Sequence, residues 1–207
     1  MKRTVLYLLA ACLLLAGCHR TQKFTMSGNL AGAGLPENAT SFQIVSEGLP
    51  QPIVVKVEED KTFSVKGEIE KPSFAKLVSS SPDQKVFPAV ILEKGNITFS
   101  EYRPVGTPCN DANKAFTDQI TALRIEHRGD RDATIKAAEE AFTAYVAKHK
   151  NDPCAIYAIM LADHRLFPKT ILKLIESTSP EIRNTGDIRQ ITRRMKDLDK
   201  EMEKKAE

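Results

Sequence analysis

The spacing of the apolar residues changes once along the chain, near Pro104, and that change limits the fold more than any other feature. Before it, apolar residues come in short runs, β-branched or alternating with polar ones: "KFTMSGNL", "SFQIVS", "PIVVKV", "TFSVKGEI", "FAKLVSS", "FPAVILE" and "NITFS". Runs of this kind predict strands, and turn signals separate them at short intervals. Lys94-Gly95-Asn96 predicts a tight hairpin, and "SSSPDQ" at Ser79–Gln84 a looser one. With no long crossover evident between runs, the expectation is an antiparallel sandwich or open barrel of about seven strands.

From about Asn110 onward the period becomes helical. Phe116, Ile120, Leu123 and His127 share one face, and Ile135, Ala138, Phe142, Tyr145 and Val146 share another. Asp152-Pro153 and Ser179-Pro180 each predict a helix start, an N-cap followed by proline at the first helical position. Asp187 with Gln190 resembles a capping box, and Gly186 before it should end any preceding turn. The whole predicts an α+β protein: a tether over 18–23, an N-terminal antiparallel β-sandwich over 24–104 and a helical segment of four or five helices over 105–207.

The first residues predict export. Lys2 and Arg3 precede an apolar stretch, Val5 to Ala16, whose roughly 12 residues rise only about 18 Å as a helix against a hydrocarbon core of about 30 Å. A permanent span is therefore not expected. Leu15-Ala16-Gly17-Cys18 resembles the lipobox of bacterial lipoproteins. That resemblance implies a signal peptide over 1–17, cleavage before Cys18 and lipidation of its sulfur, which makes the membrane the first partner. Leu9-Ala10-Ala11-Cys12 also fits the pattern but leaves an apolar stretch of only Val5 to Ala11. His19 stands where some bacteria use Asp to retain lipoproteins at the inner membrane, and "HRTQK" lacks the acidic residues of surface export. The expected location is the cell envelope, at the outer membrane facing the periplasm.

Charge excludes one large class of partner. The net charge is +3, two units of which are Lys2 and Arg3. Neither half of the remaining chain carries a basic stripe with interleaved aromatics, so no nucleic acid is expected.

With "FTMSGNL", "FSVKGEIEKP" and "VILEKGNITFS" in the β region and "VGTPCNDANKAF" opening the helices, the chain resembles the domain of unknown function 4369 family of Bacteroidetes lipoproteins. There the β and helical parts commonly precede a thioredoxin-like domain whose redox centre is Cys-x-x-Cys. No Cys-x-x-Cys occurs in the 207 residues. The resemblance therefore implies an accessory module with no catalytic residues carried over, and an envelope protein or a thioredoxin-like protein as partner.

Two further cysteines remain, Cys109 in "GTPCND" and Cys154 in "NDPCAI". If the first two long helices pack antiparallel, both cysteines fall at one end of the bundle. In an oxidising compartment they predict a disulfide, closing a loop worth on the order of 4 kcal/mol. Two buried thiols, or a pair that cycles in a thiol-disulfide system, are the alternatives. His127 and His149 are expected to cap helix C-termini; His19 lies in the tether and His164 stands beside Asp163. No metal or cofactor motif is present, Ser79 to Ser81 sit in a turn, and Glu58-Glu59 and Glu139-Glu140 are expected on the solvated surface. Finally, Ile188, Ile191, Met195, Leu198 and Met202 form a two-heptad stripe that must pack either on the protein's own helices or on a partner. The function expected is non-catalytic binding or positioning, with a thiol-disulfide accessory role for Cys109 and Cys154 as the alternative.

Overall fold

The computed structural model describes residues 21–84 and 87–206. Eight strands form two sheets of four. The strands are β1 (Gln22–Asn29), β2 (Ser41–Ser46), β3 (Ile53–Lys56), β4 (Thr62–Ile69), β5 (Ser73–Ser79), β6 (Ala89–Leu92), β7 (Gly95–Ser100) and β8 (Arg103–Val105). Sheet order is β4-β1-β7-β8 in one and β3-β2-β5-β6 in the other. Six helices follow: α1 (Pro108–Glu126), α2 (Arg131–Lys148), α3 (Cys154–Ala162), α4 (Pro168–Glu176), α5 (Pro180–Arg183) and α6 (Gly186–Ala206). None of the described helices is long and apolar enough to cross a membrane.

Alternation explains the layering. Phe24, Met26 and Ile97 from the first sheet meet Phe42, Ile44, Leu77, Val90 and Leu92 from the second in one buried core. Phe42 and Phe63 pack edge to face there at 4.9 Å. The second sheet is covered on its other side too. Phe74 of β5 and Ile91 of β6 leave the sandwich and join a core built from α1, α2, α3, α4 and α6. The run "VIL" at Val90–Leu92 is apolar throughout because both of its faces are buried.

Several local expectations are corrected. Lys94-Gly95-Asn96 makes no hairpin, because β6 and β7 belong to different sheets. At Gly95, φ is +131°, and the chain turns the corner from one sheet to the other there. β7 then pairs in parallel with β1, Phe24 opposite Gly95, so the intervening strands themselves supply the long crossover. The eighth strand escaped notice because its two-residue turn, Glu101-Tyr102, adopts φ of 52° and 66° without glycine or asparagine. β1 begins at Gln22, two residues before the expected start.

The helix starts are also adjusted. Ser179 caps Ile182 as expected, at 3.4 Å. α3 starts at Cys154, one residue later than Asp152-Pro153 predicts, and the Asp152 carboxylate accepts from the Cys154 N–H at 3.1 Å. Asp187 forms no capping box: α6 already begins at Gly186, whose N–H donates to Glu47 at 2.6 Å, while Asp187 pairs with Lys76 of β5. These two contacts fasten α6 to the second sheet.

The C-terminal stripe divides. Ile188, Ile191 and Met195 are buried in the protein's own helical core, whereas Leu198 and Met202 are 40% and 48% exposed. Replacing Met195 by Ala should cost about 2–5 kcal/mol, as for other buried large-to-small changes, whereas Leu198→Ala should cost well under half of that. Thermal denaturation of the two variants checks this, and equal losses would show that the exposed half of α6 is also packed.

Candidate functional site

The chemistry-bearing residues gather where the sheet meets the helices. Thr107 precedes α1, Pro108 opens it, and Cys109 and Asn110 follow in its first turn. α2 returns antiparallel, so α3 begins beside the start of α1. Cys109 and Cys154 face each other there with Cα atoms 5.6 Å apart and are joined as a disulfide.

Two carboxylates occupy the helix starts that carry these sulfurs. Glu93, buried just after β6, accepts from the N–H groups of Cys109 at 2.7 Å and Asn110 at 3.3 Å. Asp152 caps Cys154 with Oδ1, which also lies 4.0 Å from the Cys109 Sγ. Its Oδ2 meets the Nδ1 of His149 at 3.2 Å. A carboxylate cannot donate, so Nδ1 carries a proton; Nε2 is buried and has no hydrogen-bond partner among the described residues.

An aromatic column supports the histidine. His149 packs on Tyr145 at 4.4 Å, and Tyr145 stacks on Phe116 at 4.1 Å. The Tyr145 hydroxyl donates to Asn113 at 2.8 Å. Burial first, then the negative charge of Asp152, raises the Tyr145 pKa above the ordinary phenol value, so the ring stays neutral.

Asn110 is the joint itself. Fully buried, it accepts from the Ile91 N–H at 3.0 Å and donates to the Ile91 carbonyl at 2.8 Å and to Thr107 at 2.8 Å. Its side chain thus pairs with β6 along the edge that has no further strand among the described residues.

Beside this centre lies a cleft of about 420 Å³ between the second sheet and the helices, floored by Phe74, Pro153 and Ile156 and rimmed by Lys71, Asp152 and Glu181. A smaller cavity of about 180 Å³ reaches the disulfide and shares Pro72, Asp152 and Pro153 with the cleft. Gln22 at the start of β1 pairs with Ile69, just before the turn that carries Lys71 and Pro72. The cleft and the N-terminal end of the sandwich are therefore on the same side of the molecule.

Other candidate residues fall elsewhere. His127 ends α1 and His164 sits near Asp163 at 3.7 Å. Ser79 and Ser81 satisfy their own turn, at 2.9 Å. Glu139 is not surface in the expected sense: half-buried, it accepts from Thr170 at 2.7 Å and ties α2 to α4. Cys18, Cys12 and His19 lie outside the described residues. Sequence reasoning missed Glu93, Asn110 and the grouping of Cys109, Asp152 and Cys154, whose ligand atoms all lie within 4.8 Å of one another. The one signal was the acid two residues before Cys154; the partners of Glu93 and Asn110 are distant in sequence.

No protein-family model, curated protein or solved structure matches the chain. The residues themselves therefore carry the functional argument.

The disulfide closes a loop across 45 positions, and Cys109→Ser with Cys154→Ser should lower stability by about 4 kcal/mol in the chain-entropy account. Asn110→Ala leaves both polar groups of Ile91 without a partner and should cost about 2–4 kcal/mol. Denaturant titration checks both; a loss below 1 kcal/mol for Asn110→Ala would mean that water replaces the amide.

Proposed function

We propose that the chain is a lipid-anchored periplasmic module of the cell envelope that binds or positions a partner and performs no thiol exchange. The observation that carries this is the setting of the disulfide. Exchange needs an accessible sulfur and a leaving thiolate stabilised by positive potential, usually a helix N-terminus. Here Cys109 and Cys154 are 6% and 3% exposed, and Glu93 and Asp152 put negative charge at both helix starts. Either thiolate would face a carboxylate. The bond acts as a staple, and the cleft, with its apolar floor and charged rim, is what remains for recognition.

The anchor belongs to the same reading. The lipobox at Leu15–Cys18 and the leader before it support lipidation of Cys18, while His19 in place of Asp and the lack of acids in "HRTQK" support an outer-membrane location facing the periplasm. β1 starts at Gln22, so His19 to Thr21 alone separate Cys18 from the sandwich and span at most about 11 Å. An anchored body would then hold its cleft close to the bilayer, where a membrane-associated envelope protein would meet it.

Two measurements test the proposal. Purified protein should fail to accelerate insulin reduction by dithiothreitol, whereas catalysis that disappears in Cys109→Ser would establish the thiol-disulfide role instead. Cys18→Ala should release the protein from membranes washed with carbonate; retention of that variant would remove the lipid anchor.

A further inference from the structure

We propose that Cys109, Cys154 and Asp152 form a zinc site in the reduced chain, before the disulfide closes, so that the same corner can be held by a metal ion or by the covalent bond. The two sulfurs and the carboxylate oxygen already lie within 4.8 Å of one another. Thiolate and carboxylate are both ordinary Zn²⁺ donors, and three protein ligands with one open position suffice for a tetrahedral ion. At Zn–S distances of about 2.3 Å the sulfurs of such a site stand roughly 3.8 Å apart. Cα atoms 5.6 Å apart put both side chains within reach of one shared ion.

The surroundings fit a cation as clearly as they oppose a free thiolate. Two thiolates beside Asp152, with Glu93 against the Cys109 N–H, concentrate negative charge in a mostly buried place. A divalent ion offsets that charge and makes the same acids favourable. His149 is the positioning residue. It is 13% exposed, and its Nδ1 holds Asp152 by the Oδ2 that faces away from the Cys154 N–H. The cavity of about 180 Å³ lined by Cys109, His149, Asp152 and Cys154 provides the entry path.

The chemistry balances in two steps. In the reduced chain both sulfurs are thiols. Zn²⁺ then displaces both thiol protons to solvent as two Zn–S bonds form. Oxidation passes two electrons from the two sulfurs to an acceptor disulfide, which takes two protons from solvent and leaves as two thiols, while the Cys109–Cys154 bond forms and the ion is released. This inference depends on neither the anchor nor the cleft.

The test uses the full chain in detergent with Cys12→Ser and Cys18→Ser, so that Cys109 and Cys154 are the sole thiols. The protein is reduced with dithiothreitol in denaturant, freed of reductant without oxygen, and refolded with and without Zn²⁺. The expected result is one Zn²⁺ retained per reduced chain and none per oxidised chain, with Co²⁺ giving a thiolate charge-transfer band. Cys154→Ser should abolish the band. Asp152→Asn should weaken Zn²⁺ at least tenfold, and His149→Gln about 10–100-fold, as for other residues that orient a ligand. Refolding that requires Zn²⁺ also supports the site. A reduced chain that retains no Zn²⁺, whether it refolds or not, or a Cys154→Ser variant that holds Zn²⁺ as tightly, overturns it.

Discussion

The pairing of the Asn110 side chain with the backbone of Ile91 holds the two halves of the molecule together. β6 is the last strand of its sheet, and an open edge there would leave buried N–H and C=O groups without partners. A third half-strand would solve this, but the chain turns into α1 instead. One amide in the first turn of that helix supplies the missing donor and acceptor at 2.8 and 3.0 Å. Because the same residue is helical, satisfying the sheet edge also fixes where the helix begins. Glu93, leaving the same strand, then accepts from the buried N–H groups of that first turn, which have no partner within the helix.

Everything downstream inherits that placement. With α1 fixed against β6, the antiparallel return of α2 delivers Asp152 and Cys154 to the same corner, and the disulfide ties α3 to α1. Phe74 and Ile91 extend the helical core into the sheet, so the second sheet is the middle of three layers. A sheet covered on both faces needs apolar residues on both, and β5 and β6 provide them while the outer parts of β2 and β3 expose Val45 and Val54.

The class of fold was legible in the sequence because hydrophobic spacing records burial, and burial is what separates strands from helices here. The long helices and the proline-marked start at Ser179-Pro180 were legible for the same local reason. Pairing was less so. "EKGN" has the composition of a hairpin turn, yet the next strand finds a better partner in β1, whose Phe24 and Met26 share a core with Ile97. The Glu101-Tyr102 turn carries none of the residues that favour positive φ, so its hairpin was invisible. Cys109 and Cys154 were recognisable as neighbours from helix direction alone, whereas Glu93 and Asn110 were not: each acts across a gap that only the packed structure closes.

Where local preference is broken, a distant residue offsets it. Asp163 closes α3 at the end where a negative charge is unfavourable, and its side chain is only 6% exposed. Arg194 of α6 pairs with its Oδ2, so docking of α6 offsets part of that cost, while Oδ1 is buried with no hydrogen-bond partner among the described residues. Lys76 with Asp187 and Lys169 with Glu203 add charge pairs at other points along α6. Three buried apolar residues of the stripe and these ionic contacts together explain why α6 lies on its own protein even though its last apolar positions do not. The polar pairs fall at defined positions along α6, at Asp187, Arg194 and Glu203, whereas methionine packs on many surfaces.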